Sequence, residues 1–325
     1  FLSVILTVVF PTFLLLLVCA VCQIKGKPEV IRDTLALMLV LTILLHPAIA
    51  LPKETVFSLW GLQFSWPIGL GLGLTGIAIS KGVVTTIGLF YAMFKIFDRS
   101  IVASMPFAIE RPIILDIIKQ AMPASLIQLL VPLYLIMLTL VITQYGLKVL
   151  AGFTLGYRTV MLVVVPILGV LVALMVVITH DMVEKNYQRV KETLRIVLTW
   201  GSLCVFLVLL ATYGVSRLVL VEPSIINNVA LQYLLLGVYI TVLEYIIGVC
   251  TVSFQSVKKP VVAFIVQSFR TIIYPAPIFY YLYFQTMQIE MLWIWLGLSF
   301  TIATLSSIWV GYRYFWRVYL VQKNT

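Results

Sequence analysis

A single carboxylate, Glu244, sits inside the apolar run TVLEYIIGV (241–249). Its neighbours at helical spacing are Gly237, Thr241, Gly248, Thr251 and Gln255, while the intervening positions are mostly leucine, valine, isoleucine and tyrosine. A period of 3.6 residues gathers the small and polar residues on one stripe. A stripe of that kind faces protein or a water-filled cavity, where an acid inside a membrane can be tolerated. The other acids lie in loops or near the ends of apolar runs. The chemistry open to Glu244 is proton or cation exchange, because burial raises a carboxyl pKa and small changes in hydration then load or unload a proton. The plainer reading is a fixed ion pair. Arg270 is the natural partner, ten residues into the following run and so about 15 Å deep at about 1.5 Å per residue. The two readings are compatible, since an exchangeable pair can also switch.

Other residues lend themselves to lining or bending a path. Gln128, Pro132, Thr139, Thr143 and Gly146 form a second stripe, which suits either a cavity wall or close helix packing. Gln128, Thr139, Thr241, Gly248, Thr251 and Tyr274 are therefore the candidate cavity-lining residues. Pro123, Pro132, Pro275 and Pro277 are candidate hinges, because proline frees a carbonyl within a helix. His46, before Pro47, reads as a hydrogen-bonded residue near a helix end, with a proton relay as the alternative. His180, in THDMVEKNYQRV, opens a loop and is expected to be solvated. Tyr274, Phe279, Tyr280, Tyr281 and Tyr283 read as an interfacial aromatic belt. Cys19 and Cys22 are spaced CxxC, but no second pair or histidine completes a metal set, so no metal is expected.

The elements that must carry these residues follow from composition. The chain is 62% hydrophobic and 10% charged, with a mean hydropathy of +1.12. Apolar runs long enough for a bilayer recur from end to end. The expected fold is all-α and polytopic, with nine spans near 3–23, 34–51, 64–94, 113–145, 150–179, 193–213, 228–255, 261–284 and 291–316. The net charge of +10 is not a nucleic-acid footprint. Fifteen lysines and arginines, from Lys25 to Lys323, fall in one alternating set of loops plus the tail, against Lys53, Lys148 and Arg217 in the other. The first set is then cytoplasmic, and so is the C-terminus. No Walker A, HExxH, GxSxG or dinucleotide loop occurs, which argues against an enzyme. The chain opens in an apolar run without Met, and is expected to lack its true N-terminus. CQIKGKP (22–28) and FQSVKKP (254–260) match at Gln, Lys and Pro with one offset, a sign of repeated six-span halves. Prolines then break the next spans, at His46-Pro47 and at Pro275 and Pro277.

Residues 120–175 resemble the start of the C-terminal lobe of the multidrug and toxin extrusion (MATE) family, within the MOP flippase superfamily. The matching positions are Pro123-Ala124, Gly146, Val149, Ala151, Gly156, Arg158, Pro166 and Gly169, with Asn186, Tyr187, Arg189 and Val190 in the following loop. GLTGIAIS (73–80) is similar to the Gly-x-x-Gly-x-Ala stretch of the sixth family span. The resemblance implies twelve spans in two lobes, with this chain holding spans four to twelve. Its parts would be a partial N-terminal lobe (1–96), a cytoplasmic linker (97–112) and a six-span C-terminal lobe (113–325).

It further implies a monomeric inner-membrane antiporter, in contact with lipid and not nucleic acid. Such a protein exports small organic, often cationic, molecules in exchange for H⁺ or Na⁺, without a cofactor. Glu244 falls where some members carry an acid in span ten. Val131 stands where such members often carry a second acid, Thr179-His180-Asp181 replaces Gly-Gln-Asn, and His46 replaces Asp. Two alternatives stay open: a lipid-linked oligosaccharide or polysaccharide flippase, favoured by Lys81, Arg158 and Arg270, and an inactive truncated membrane protein.

Overall fold

The computed structural model describes residues 2–24, 27–53, 55–59, 62–66, 69–96, 111–220, 224–285 and 288–314. All but two residues of the expected linker 97–112, and the tail cations Arg317 and Lys323, lie outside the described residues. The chain divides into two compact units, Phe1–Ala108 and Ile109–Thr325.

Unit 1 contains helices α1 (Leu2–Ile24), α2 (Pro28–Ala50) and α3 (Gly73–Ile96), with a hairpin of β1 (Thr55–Leu59) and β2 (Leu62–Trp66) between α2 and α3. The hairpin is antiparallel, pairing Thr55 with Trp66 and Leu59 with Leu62. The expected span at 64–94 therefore begins later, at Gly73. LQFSW is apolar enough to extend a hydropathy window, yet its aromatic and alternating character suits a strand. Nor do His46 and Pro47 break their span: α2 runs through both and ends one turn later, with Leu51 N–H donating to Pro47 O. Pro47 has no N–H to offer the carbonyl four residues back, a loss that falls one turn from the end of the helix.

Unit 2 contains α4 (Arg111–Thr143), α5 (Leu147–Val183), α6 (Tyr187–Ile196), α7 (Ser202–Val219), α8 (Ile225–Ser256), α9 (Pro260–Ser268), α10 (Pro275–Phe284) and α11 (Ile289–Val310). The π-turn Val197–Gly201 joins α6 to α7, and the π-turn Phe269–Ile273 lies between α9 and α10. Pro123 and Pro132 lie within an unbroken α4. Eight helical stretches among the described residues are long and apolar enough to cross a membrane, and Val8–Cys22 is a shorter apolar helix. Large apolar side chains such as Leu39, Phe90, Leu129, Leu162 and Leu305 are exposed on these helices. Outward apolar surface on otherwise packed helices is what a hydrocarbon surrounding demands. Hydroxyls within the helices, including Thr139, Thr251, Thr304 and Ser307, donate to carbonyls one turn back, so they add no unsatisfied donor.

The repeat seen in the sequence is also visible in the backbone. Lys27 N–H donates to Cys22 O, and Lys259 N–H donates to Phe254 O, both at 3.0 Å. Lys27 has φ −111° and ψ 59°, Lys259 has φ −115° and ψ 60°, and each precedes a proline that opens the next helix. The same residues at the same offset thus make the same helix-ending turn, in which the proline could not have continued the earlier helix.

The closest helix packing in unit 2 joins α5 to α8. A Cβ on Gly156 would lie 2.9 Å from Ala230 O, and one on Gly248 would lie 2.7 Å from Leu171 Cδ1. Backbones approach this closely only where side chains are absent. Gly156→Val should therefore destabilise unit 2 by about 1–3 kcal/mol through overpacking. Gly169→Ala, whose Cβ would meet nothing within 4 Å, should be close to neutral. Thermal unfolding of the purified protein in detergent compares the two.

Candidate functional site

The α5–α8 seam explains much of the stripe around Glu244. Gly248 faces Leu171 and Gly237 faces Val160 of α5, and Thr241 is buried. These positions pack helix on helix. Thr251 also turns inward, donating to Ile247 O at 2.9 Å and lying 3.5 Å from Gln267 Oε1 on α9. Glu244 shares the stripe but carries a charge, and that charge is met from α9–α10. Its Oε1 lies 3.3 Å from Arg270 Nη1, with the two side chains 22% and 13% exposed. The depth match expected from sequence is the geometry found. Neither side chain makes a hydrogen bond to another described residue.

Arg270 owes its direction to the π-turn. Tyr274 N–H reaches back to Phe269 O at 3.2 Å, a five-residue step. That step widens the helix and re-aims the residues inside it. Pro275 follows, and having no N–H it cannot restore the α-helical ladder there. Tyr274 anchors the turn to α11 through a hydroxyl contact with Ser306 Oγ at 2.8 Å, and its ring lies 5.8 Å from that of Phe269.

Three tyrosines that sequence reasoning passed over lie within electrostatic range of Glu244: Tyr134 of α4, Tyr157 of α5 and Tyr233 of α8. Tyr134 packs against Phe279 and Phe300 at ring separations of 5.7 and 6.0 Å. Tyr233 packs edge-on to Phe153 at 4.9 Å and to Trp293 at 5.6 Å. These rings form the apolar wall next to the pair, with hydroxyls that no described side chain or backbone group engages. Position alone did not signal them: Tyr157 and Tyr233 stand seven and five residues into their expected spans, where a belt residue is also at home. Of the expected belt, Tyr280, Tyr281 and Tyr283 are exposed, while Phe279 is buried in the core.

None of the remaining nominated residues makes a side-chain hydrogen bond or ion pair with Glu244 or Arg270. Gln128 is exposed, and Thr139 and Tyr274 are half-buried. A groove of about 680 Å³ between α4 and α10 is lined by apolar groups including Met137, Leu140, Ile272 and Tyr280, and among the nominated residues only Pro277 borders it. In unit 1, His46 Nδ1 lies 3.2 Å from Ser80 Oγ, the hydrogen-bonded state expected for it.

Residues 123–280, most of unit 2, match the MatE family model. Solved MATE structures share the fold. The Vibrio cholerae MATE transporter VcmN in its bent form superposes with a TM-score of 0.75 at 20% identity, over 98% of this chain and 69% of that one. A MATE in complex with MaL6 gives 0.74 at 19% identity, over 92% and 65%. An outward-facing multidrug resistance MATE family transporter of the MOP superfamily gives 0.70 at 21% identity, over 88% and 62%. No curated protein sequence matches this chain significantly. The chain spans just under two thirds of the length of the MaL6-bound and outward-facing structures. The MatE family model thus matches the larger unit, the fold of solved MATE structures runs along nearly all of the chain, and its apolar helices make it a multi-pass membrane protein.

An ion pair in a low dielectric is costly to break from one side. Glu244→Gln or Arg270→Gln alone should lower stability by about 3 kcal/mol, whereas Glu244→Leu with Arg270→Met should lie near the parent. A double-mutant cycle on thermal unfolding measures the coupling.

Proposed function

We propose that this protein is a secondary active antiporter that exports small organic cations in exchange for H⁺ or Na⁺ by alternating access. The observation that carries this reading is the Glu244–Arg270 pair, mostly buried and without other hydrogen bonds, inside a MATE fold. Glu244 is the exchanging acid. When it is charged, Arg270 neutralises it. When it takes a proton or turns to a cation, Arg270 loses its counter-charge, and the π-turn Phe269–Ile273 must repack. That links ion occupancy to the shape of α9–α10. Pro275 and Pro277 lie just beyond the turn, where a change of direction meets least resistance from the backbone. The excess of lysine and arginine in one loop set orients the chain with its C-terminus in the cytoplasm of a cell whose inner membrane holds it. The tyrosine wall beside the pair offers π-faces that suit an organic cation. We take the working form to be a monomer in lipid.

A second reading, flipping of an anionic lipid-linked sugar, draws on Lys81 and Arg158. Both lie within spans and are exposed, and neither forms an ion pair with a described residue. An anionic head group would be held by such cations.

Glu244→Gln in the full-length protein should abolish coupled efflux of a fluorescent organic cation from energised vesicles while leaving the folded protein in the membrane. A variant that still drives efflux at the parental rate would sink the antiport role of Glu244. Loss of export on Arg158→Gln, with cation efflux absent in the parent, would favour the flippase.

A further inference from the structure

The end of α5 carries a group of side chains that transport does not explain. His180 and Glu184 are one helical turn apart, on one face. The His180 Nε2 lies 3.5 Å from Glu184 Oε1. The Nδ1 of the same ring lies 3.9 Å from Asp181 Oδ1. One ligating atom from each of the three can be chosen so that all lie within 4.8 Å of one another. Donors bound to a common zinc at about 2.0–2.2 Å sit roughly 3–3.5 Å apart. His180 and Glu184 are 66% and 52% exposed, so their side chains are free to close that gap.

Asp181 is the independent sign of a ligand. Its side chain is 2% exposed, and its Oδ2 is buried without a hydrogen-bond partner. The nearest cation, Arg189 Nε of α6, stands 3.7 Å from Oδ1, beyond hydrogen-bond range. A buried carboxylate with no hydrogen bond is unstable unless something neutralises it. The Glu184 and Asn186 N–H groups do not serve the carboxylate, because they donate to the His180 and Asp181 carbonyls in the helix-ending turn. The negative end of the helix dipole favours a cation at the same place.

We infer that His180, Asp181 and Glu184 bind a divalent transition-metal ion of the zinc type, with water filling its open positions. A neutral imidazole and two carboxylates supply two negative charges, which match the ion, and mixed nitrogen and oxygen donors suit zinc or cobalt. Arg189, 63% exposed, moves to solvent when the ion enters. The site is independent of the antiport reading.

The test uses the purified protein in detergent, stripped with a chelator and titrated with Co²⁺ by visible absorption, then with Zn²⁺. One displaceable Co²⁺ per chain is expected, together with a rise in melting temperature on adding Zn²⁺. His180→Gln and Glu184→Gln should each weaken binding at least about tenfold. Both residues are exposed, so the metal-free melting temperature should not move. Asp181→Asn should remove the Zn²⁺-induced rise. Undiminished Co²⁺ binding in the His180→Gln, Glu184→Gln double variant would place the metal elsewhere, on the cysteines for example, and overturns the assignment. No Co²⁺ band at millimolar metal overturns it as well.

Discussion

Two charges held out of water set the terms for unit 2. Glu244 and Arg270 meet through one contact of 3.3 Å, with no further hydrogen bonds to share the cost of desolvation. Such a pair gains little over an apolar pair of the same volume, yet it punishes the loss of either partner. Its geometry must therefore be imposed from outside. The α5–α8 seam does so on one side, since Gly156 and Gly248 let α8 approach too closely to roll. The π-turn does so on the other, aiming Arg270 at a height that the residue count along α9 already fixes.

The residue next to Glu244 ties α8 to a second irregular turn. Tyr245 donates its hydroxyl to Val197 O at 2.9 Å, at the start of the π-turn Val197–Gly201. Gly201 leaves room for that hydroxyl, since any Cβ there would collide with it. Consecutive residues of one helix thus hold π-turns in two flanking helices, one by charge and one by a hydrogen bond. π-turns are rare, and they occur where a helix gives up regularity for a specific contact. Glu244 thus touches the Phe269–Ile273 turn through Arg270, while the Tyr245 bond ties α8 to the turn that opens α7.

How much of this could be read beforehand depended on the kind of signal. Spans, the Glu244 stripe and the pairing with Arg270 rest on periodicity and residue counting, both of which survive folding. The hairpin did not show, because LQFSW is apolar by composition and only its pairing makes it a strand. The tyrosines at 134, 157 and 233 did not show either, because they come from three helices and meet only through packing. Asp181 is the clearest miss. Its loop composition predicts a solvated position, but α5 runs four residues past the expected end at 179, to Val183. That extension carries Asp181 into the buried side of the helix.

The repeat between the units gives the pair its meaning. The offset that superposes the CQIKGKP and FQSVKKP turns sets Thr12 against Glu244 and Met38 against Arg270. In unit 1 the Thr12 hydroxyl is satisfied by Val8 O at 2.8 Å. Met38 packs so tightly on Gly88 that a Cβ there would come within 2.6 Å of its sulfur. The same scaffold therefore closes at these two positions with ordinary packing. Folding does not require charge there, and charge is the less economical way to fill the space. The acid and the arginine of unit 2 accordingly stand where the same turn in unit 1 carries a threonine and a methionine, so the fold by itself does not account for the two charges.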